Sequence, residues 1–268
     1  MLAFAANPLL CRMAMGQGLI DAATFTTVRV SAGALILSLL LVPRWLRGRR
    51  ASGNWRAAVM LFAYMACFSF AYLSLGAGTG TLILFGAVQL TMFISALRGG
   101  EYFALWSWAG LALAIGGLVY LLSPGVTAPD TTGALLMMVA GIAWGLYSVL
   151  GRGIADPLEA TAANFIYAVP LVILVSLVFR ADFQASREGY LLAIASGAAT
   201  SGLGYAIWYA ALKGLSGIRA ATVQLSVPVI AAFGGVVLLS EDITWRLVIA
   251  SAATLGGVAI VLAQRAVR

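Results

Sequence analysis

The sequence predicts an all-α polytopic membrane protein: ten transmembrane helices arranged as two inverted five-helix repeats. Three observations carry that expectation. Of the 268 residues, 62% are hydrophobic and only 9% charged, where soluble domains carry roughly 25% charged residues. Mean hydropathy is +1.01, and apolar runs near the ~20-residue length that crosses a bilayer follow one another from end to end. The chain also matches itself at one fixed offset of 140 residues. A soluble enzyme, a secreted disulfide scaffold and a disordered chain are all excluded by these figures.

Apolar runs read against polar punctuation place helices at about 1–18, 22–43, 56–75, 79–97, 102–122, 132–150, 160–179, 189–212, 217–240 and 245–264. The first contains Asn7-Pro8, where a missing backbone donor predicts a kink. The second carries Arg29 about two turns in and ends in a basic loop, Arg44 to Arg56, flanked by Trp45 and Trp55. Along the third, Tyr64, Phe68 and Tyr72 recur every four residues and make one aromatic stripe. Gly76-Ala77-Gly78-Thr79-Gly80 reads as a tight turn into the fourth, which holds Gln89 mid-span. It is no phosphate loop, since it lacks the Lys-Ser/Thr of one. Glu101 precedes the fifth, which carries Gly116-Gly117. The sixth holds Trp144 and, on nearly the same face, Tyr147. The seventh is a plain apolar run. The eighth holds Tyr205 and Trp208/Tyr209 among glycines at 197, 202 and 204. The ninth holds Gln224 and Pro228, and the tenth follows Glu241 and includes Gly256-Gly257.

Of the lysines and arginines, eleven follow even-numbered spans and five lie on the other side. By the positive-inside rule both termini are expected in the cytoplasm. Trp45, Trp55, Tyr102, Trp106, Tyr190 and Trp245 fall at helix ends, where interfacial aromatics belong. The net charge of +7 therefore reads as topology, and no nucleic-acid partner is expected. With no histidine, two cysteines and nine acidic residues, neither a metal centre nor a Ser-His-Asp nucleophile is expected. No catalytic residue and no cofactor is assigned. The first span lacks a basic n-region and a small-residue cleavage pattern, so it does not read as a signal peptide.

At the 140-residue offset Arg12 meets Arg152, Phe25 meets Phe165, Glu101 meets Glu241, and Gly116-Gly117 meets Gly256-Gly257. Aromatics also coincide, Phe4 with Trp144 and Phe68 with Trp208. The expected domains are 1–128 and 129–268. An odd number of helices per repeat puts the halves in opposite orientations, the architecture of many secondary transporters. The sixth helix starts about ten residues ahead of the position matching Met1, so the first helix is expected to lack that much at its start.

Ile142-Ala143-Trp144-Gly145-Leu146-Tyr147-Ser148, then Trp208-Tyr209-Ala210-Ala211-Leu212-Lys213, Val227-Pro228-Val229, Ser240-Glu241 and Gly256-Gly257 resemble the second repeat of EamA-type members of the drug/metabolite transporter superfamily. Within it, the YddG-type bacterial amino-acid exporters are the most similar subgroup. The first repeat departs from the pattern, with Phe4 and Asn7-Pro8 where a Trp-Gly pair is common. The resemblance implies a multi-pass protein of the bacterial inner membrane that exports small amphipathic metabolites, amino acids above all and aromatic ones among them. Its partners are then a small-molecule substrate and the lipid bilayer, with the oligomeric state left open and a monomer compatible with it. The alternatives are a lipophilic-cation exporter of the same superfamily and a structural or signalling membrane subunit. An intramembrane enzyme has no catalytic set to use.

The candidate substrate-binding residues are Trp144, Tyr147, Tyr64, Phe68, Tyr205, Trp208, Gln89, Gln224 and Arg29. Stacked aromatic walls suit a flat apolar side chain, and amides and hydroxyls suit a zwitterionic end. Each has a plainer reading: helix contacts for the aromatics, interhelical hydrogen bonds for the amides. For Arg29 the plainer and preferred one is snorkelling to the interface, beside a hold on a substrate carboxylate. Glu101 and Glu241 read as caps at the starts of their helices. No other acid lies mid-span, so efflux down the substrate's own gradient is the simplest expectation.

Overall fold

A computed structural model describes residues 1–46, 53–100, 102–125, 128–151, 153–212, 224 and 226–263. The helices are α1 (Leu2–Gly16), α2 (Ala22–Trp45), α3 (Trp55–Ala71), α4 (Ala77–Arg98), α5 (Leu105–Leu122), α6 (Thr131–Leu150), α7 (Pro157–Val178), α8 (Arg187–Ile194), α9 (Gly204–Leu212), α10 (Ser226–Leu239) and α11 (Trp245–Ala263). A π-helical segment, Ala195–Leu203, joins α8 to α9 without a break. Among the described residues the β contribution is one isolated bridge between Ile20 and Ala185. Among the described residues seven stretches are long and apolar enough to cross a membrane: α2, α4, α5, α6, α7, Arg187–Trp208 and α11. Shorter apolar helices are α3 and α10. The protein is an all-α polytopic membrane protein, and the start expected for the ninth span lies outside the described residues.

Helix starts follow from side chains that satisfy the orphan N–H groups of a first turn. Asp21 accepts from Thr24 N–H, Asn54 from Arg56, Asp130 from Gly133, Asp156 from Glu159 and Ser186 from Gly189. Hydrogen bonding by the Gly133 N–H and the Ser74 hydroxyl holds the Asp130 carboxyl below its ordinary range. Two expectations need correction. Only Gly76 of the Gly76–Gly80 run precedes α4, and the other four residues form its first turn. The carboxylate of Glu241 accepts from the N–H of Ala77, which supplies the cap that starts the helix there. Glu241 therefore does not cap its own helix, whose Leu247 N–H donates to Thr244 instead. Glu101 lies outside the described residues.

The π-helical segment was not legible as such. Its sequence, Ala-Ser-Gly-Ala-Ala-Thr-Ser-Gly-Leu, presents small side chains to α2: a Cβ on Gly197 would strike the Arg29 carbonyl, and one on Gly202 would strike Ile36. The backbones touch, which is how helices bind tightly in lipid. The same device joins α5 to α11. A Cβ on Gly117 would stand 2.9 Å from the Ala250 carbonyl and 2.8 Å from the Thr254 nitrogen, and one on Gly257 would strike the Gly110 carbonyl and stand 2.5 Å from the Ala114 nitrogen. Elsewhere α6 packs on α3 and α4, α2 on α7, and α1 on α10 and the π-helical segment. Leu39, Trp106, Val119, Val178, Ile207 and Val237 are exposed. An apolar periphery of that kind belongs against lipid.

Candidate functional site

The helices enclose a cavity of about 590 Å³ lined from α1, α3, α4, α6, α7, the π-helical segment and α9, inside the ~300–1,000 Å³ range of small-molecule sites. Its aromatic wall centres on Trp144, whose ring centroid is 4.8 Å from Tyr64, 5.3 Å from Tyr147 and 5.4 Å from Tyr205. The stripe on α3 continues it, with Tyr64 to Phe68 at 5.5 Å and Phe68 to Tyr72 at 4.8 Å. From α1, Phe4 stands 5.8 Å from both Tyr205 and Trp208. Gln89 and Gln224 also line the cavity, together with Asn7, Thr200 and Ser201. Of the nine sequence-predicted site residues, eight line this cavity, and no Asp or Glu among the described residues does.

Arg29 is the exception. It is fully buried, with 0% relative exposure, and is not part of the lining. Its guanidinium carbon lies 4.8 Å from the Phe68 ring centroid and 5.5 Å from that of Tyr64, and Nη2 donates to the Tyr64 hydroxyl at 3.2 Å. Snorkelling is thereby corrected: two aromatic faces hold the guanidinium by cation–π attraction, inside the bundle rather than out at an interface. The same Tyr64 hydroxyl accepts from the Asn7 amide at 3.5 Å, and Asn7 Oδ1 accepts from the Ser196 hydroxyl at 2.6 Å. Among the described residues Nε and Nη1 of Arg29 have no hydrogen-bond partner, nor has the Ser201 hydroxyl.

The two ends of the cavity differ. Toward one, its lining continues through Ala96, Phe103, Gly151, Ile154, Pro157 and Leu262, at the ends of helices. Toward the other lies an ion pair, Arg12 Nε to Glu241 Oε1 at 3.2 Å. Glu241 accepts from the Ala77 N–H at 2.8 Å on Oε2, and Arg12 Nη1 donates to the Tyr72 carbonyl at 3.2 Å. Tyr72 in turn meets the Thr81 hydroxyl at 3.2 Å. Ser240 aims Glu241 there: its φ of 53° is left-handed, and the Glu241 N–H donates back to the Gly235 carbonyl at 3.1 Å. This latch ties α1, the end of α3, the start of α4 and the end of α10 together.

Sequence reasoning left Asn7 as a kink and gave Phe4 no role beyond matching Trp144 in the repeat. That match was the available signal for Phe4. Nothing local marks Ser201, whose place depends on how the π-helical segment packs.

A multi-helix membrane fold around an aromatic cavity, latched at one end, defines the class: a membrane transporter. The EamA-like transporter family matches residues 131–263. A protein of Pseudomonas aeruginosa described as uncharacterized is 50% identical over 265 residues, covering 99% of this chain and 92% of its own. An uncharacterized transporter of Archaeoglobus fulgidus is 27% identical, covering 71% of this chain and 70% of its own. The uncharacterized transporter YoaV of Bacillus subtilis is 20% identical, covering 71% and 68%. A solved crystal structure superposes with a TM-score of 0.67 at 21% identity, covering 97% of this chain and 96% of that one, a likeness of fold. This chain belongs to the EamA-like transporter family.

Proposed function

We propose that the protein exports small amphipathic metabolites, amino acids above all and aromatic ones among them, across the bacterial inner membrane. It works by alternating access between two inverted halves, 1–128 and 129–268, with both termini cytoplasmic. The observation that carries this reading is the aromatic cavity edged by amides and hydroxyls and free of described carboxylates, which suits a flat apolar side chain with a zwitterionic end.

Reciprocal packing supports the two halves. Under the 140-residue offset Gly117 corresponds to Gly257, Ala250 to Gly110 and Thr254 to Ala114. Gly117 abuts Ala250 and Thr254 while Gly257 abuts Gly110 and Ala114, so each contact has its image. Likewise Phe4 approaches Gly204 as Trp144 approaches Tyr64. In the expected orientation the latch lies on the outer side and the cavity extends inward, the state that accepts substrate from the cytoplasm.

The test is counterflow in proteoliposomes preloaded with unlabelled threonine, leucine, phenylalanine or tryptophan. Labelled substrate should accumulate, and Trp144→Ala should lower the rate at least tenfold. Counterflow with none of the four removes the amino-acid reading. Equal rates in Trp144→Ala remove the cavity as the binding site.

A further inference from the structure

We propose that Arg29 anchors a carboxylate of the transported molecule, so that the substrate class is organic acids and zwitterions rather than amines or cations. The proposal rests on the transport reading and deepens it.

An arginine with no exposed surface needs an account of its charge. A guanidinium stays protonated in proteins, and a buried cation normally has an anionic partner. Here no anionic partner stands among the described residues. The described acids all stand at helix starts, in loops or at the latch: Asp21, Asp130, Asp156 and Ser186-flanked Glu188 at or near caps, Glu159 in a first turn, Asp182 in a connecting turn, and Glu241 with Asp242 after α10. Among the described residues Arg29 meets a neutral hydroxyl, two aromatic faces and the nearby buried thiol of Cys11, none of them an anion. Nε and Nη1 are buried without acceptors.

The geometry of a guanidinium then specifies the missing ligand. Each of its two donor edges pairs Nη2 with one of the unpartnered nitrogens, and each edge matches the two oxygens of a carboxylate. Tyr64 holds only Nη2, and through a 3.2 Å bond. Its oxygen already accepts from Arg29 and Asn7, which leaves its own proton to donate. Ser201, whose buried hydroxyl also has no partner among the described residues, lines the cavity from the segment whose Gly197 abuts the Arg29 backbone. Among the described residues no carboxylate meets Nε or Nη1.

Tyr64 and Phe68 line the cavity and cover the guanidinium. A rotation of Tyr64 exposes Arg29 to a molecule whose aromatic or aliphatic part rests against Trp144. An apolar body on the aromatic wall with a carboxylate end on Arg29 is the arrangement the site favours. A cation meets an unneutralised positive charge instead.

The experiment pairs probes that differ only in charge: phenylalanine, phenylalaninamide and 3-phenylpropionate. Each is tested by counterflow in proteoliposomes and by the thermal shift of the purified full-length protein. The wild type should carry phenylalanine at least tenfold faster than the amide, and both carboxylates should raise its melting temperature. In Arg29→Met the difference between acid and amide should vanish in both assays, while Arg29→Lys keeps the preference at reduced affinity. Because the charge is unmatched in the empty protein, Arg29→Met should melt no lower than the wild type without ligand, an outcome a purely structural arginine does not give. Amide carried as fast as acid, or an acid preference kept in Arg29→Met, overturns the anchor and leaves transport standing. Carboxylate-specific thermal shifts without counterflow support the anchor and remove transport of these probes. Absence of both overturns the anchor.

Discussion

Glu241→Gln isolates the charge in the latch while keeping its shape. The carboxylate does two jobs: it accepts the Ala77 N–H at 2.8 Å and pairs with Arg12 at 3.2 Å. The glutamine still offers one oxygen to Ala77 but loses the ion pair, the charge assistance and the attraction to the positive start of α4. Hydrogen bonds to charged groups contribute about 1.5–3 kcal/mol, and the helix-dipole effect about 0.3–1 kcal/mol. The side chains of Arg12 and Glu241 are 26% and 20% exposed, so part of this is screened. A loss of about 2 kcal/mol remains, roughly a 30-fold shift in the balance between latched and open states at 1.36 kcal/mol per tenfold. Thr81 reports that balance. It lies one turn into α4, is 1% exposed and contacts Tyr72. A Thr81→Cys reporter, in a background with Cys11 and Cys67 replaced by alanine, meets a membrane-impermeant thiol reagent from the latch side only when the latch opens. Glu241→Gln should raise its labelling rate from that side about 30-fold, and adding Arg12→Gln should raise it by less than Arg12→Gln does alone, since only the bond to the Tyr72 carbonyl is then left to lose. An unchanged rate in a folded protein refutes the reasoning, and so does full additivity of the two substitutions.

The 140-residue match puts Glu101 opposite Glu241 and Arg152 opposite Arg12, so Glu101→Gln should lower Thr81→Cys labelling from the latch side. The paired glycines should behave unequally. Gly116 and Gly256 have open space where a Cβ would go, so alanine there should raise the melting temperature, by up to about 1 kcal/mol of helix propensity. Gly257→Ala meets the backbone of α5 and should cost about 1–3 kcal/mol, read by the same thermal scan. Ser240→Gly should stabilise by about 0.5 kcal/mol, since the left-handed position strains serine by ~1–2 kcal/mol while glycine loses ~0.5–1 kcal/mol of chain entropy. Asp130, held below its ordinary range by the Gly133 N–H and Ser74, contributes stability that is complete above the ordinary aspartate pKa and lost as the pH falls through the lowered one. An Asp130→Asn scan should therefore flatten the acid end of the melting profile.

The fold was legible because membrane helices announce themselves by length and apolarity, each a local property. Runs such as 132–150 and 245–264 met α6 and α11 within a residue. What the sequence left hidden was set at a distance. Glu241 stands near the start of α11, and local reasoning assigned its charge to that helix. Its actual target, Ala77, is 164 residues away, reached because Ser240 turns the chain back. The same loss affects the Gly76–Gly80 run, which looked like a turn until a remote carboxylate capped it. The π-helical segment is equally non-local: small residues permit many geometries, and the backbone of α2 against Gly197 and Gly202 selects one.

Arg29 shows where local and tertiary information part most sharply. Two turns from a helix end, an arginine reads as able to reach the interface, and its repeat equivalent, Val169, argues against any role required by symmetry. That asymmetry now carries the opposite weight. On the proposed two-half reading, a contact between the halves has its image, as the Gly117 and Gly257 pair does; a charge at 29 without a counterpart at 169 does not belong to that set. Burial of that charge against Tyr64 and Phe68, with two donors unmet, removes the interfacial explanation as well. A cost borne in one half, beside the cavity and unneutralised by any described acid, is best explained by a ligand that arrives with the missing charge.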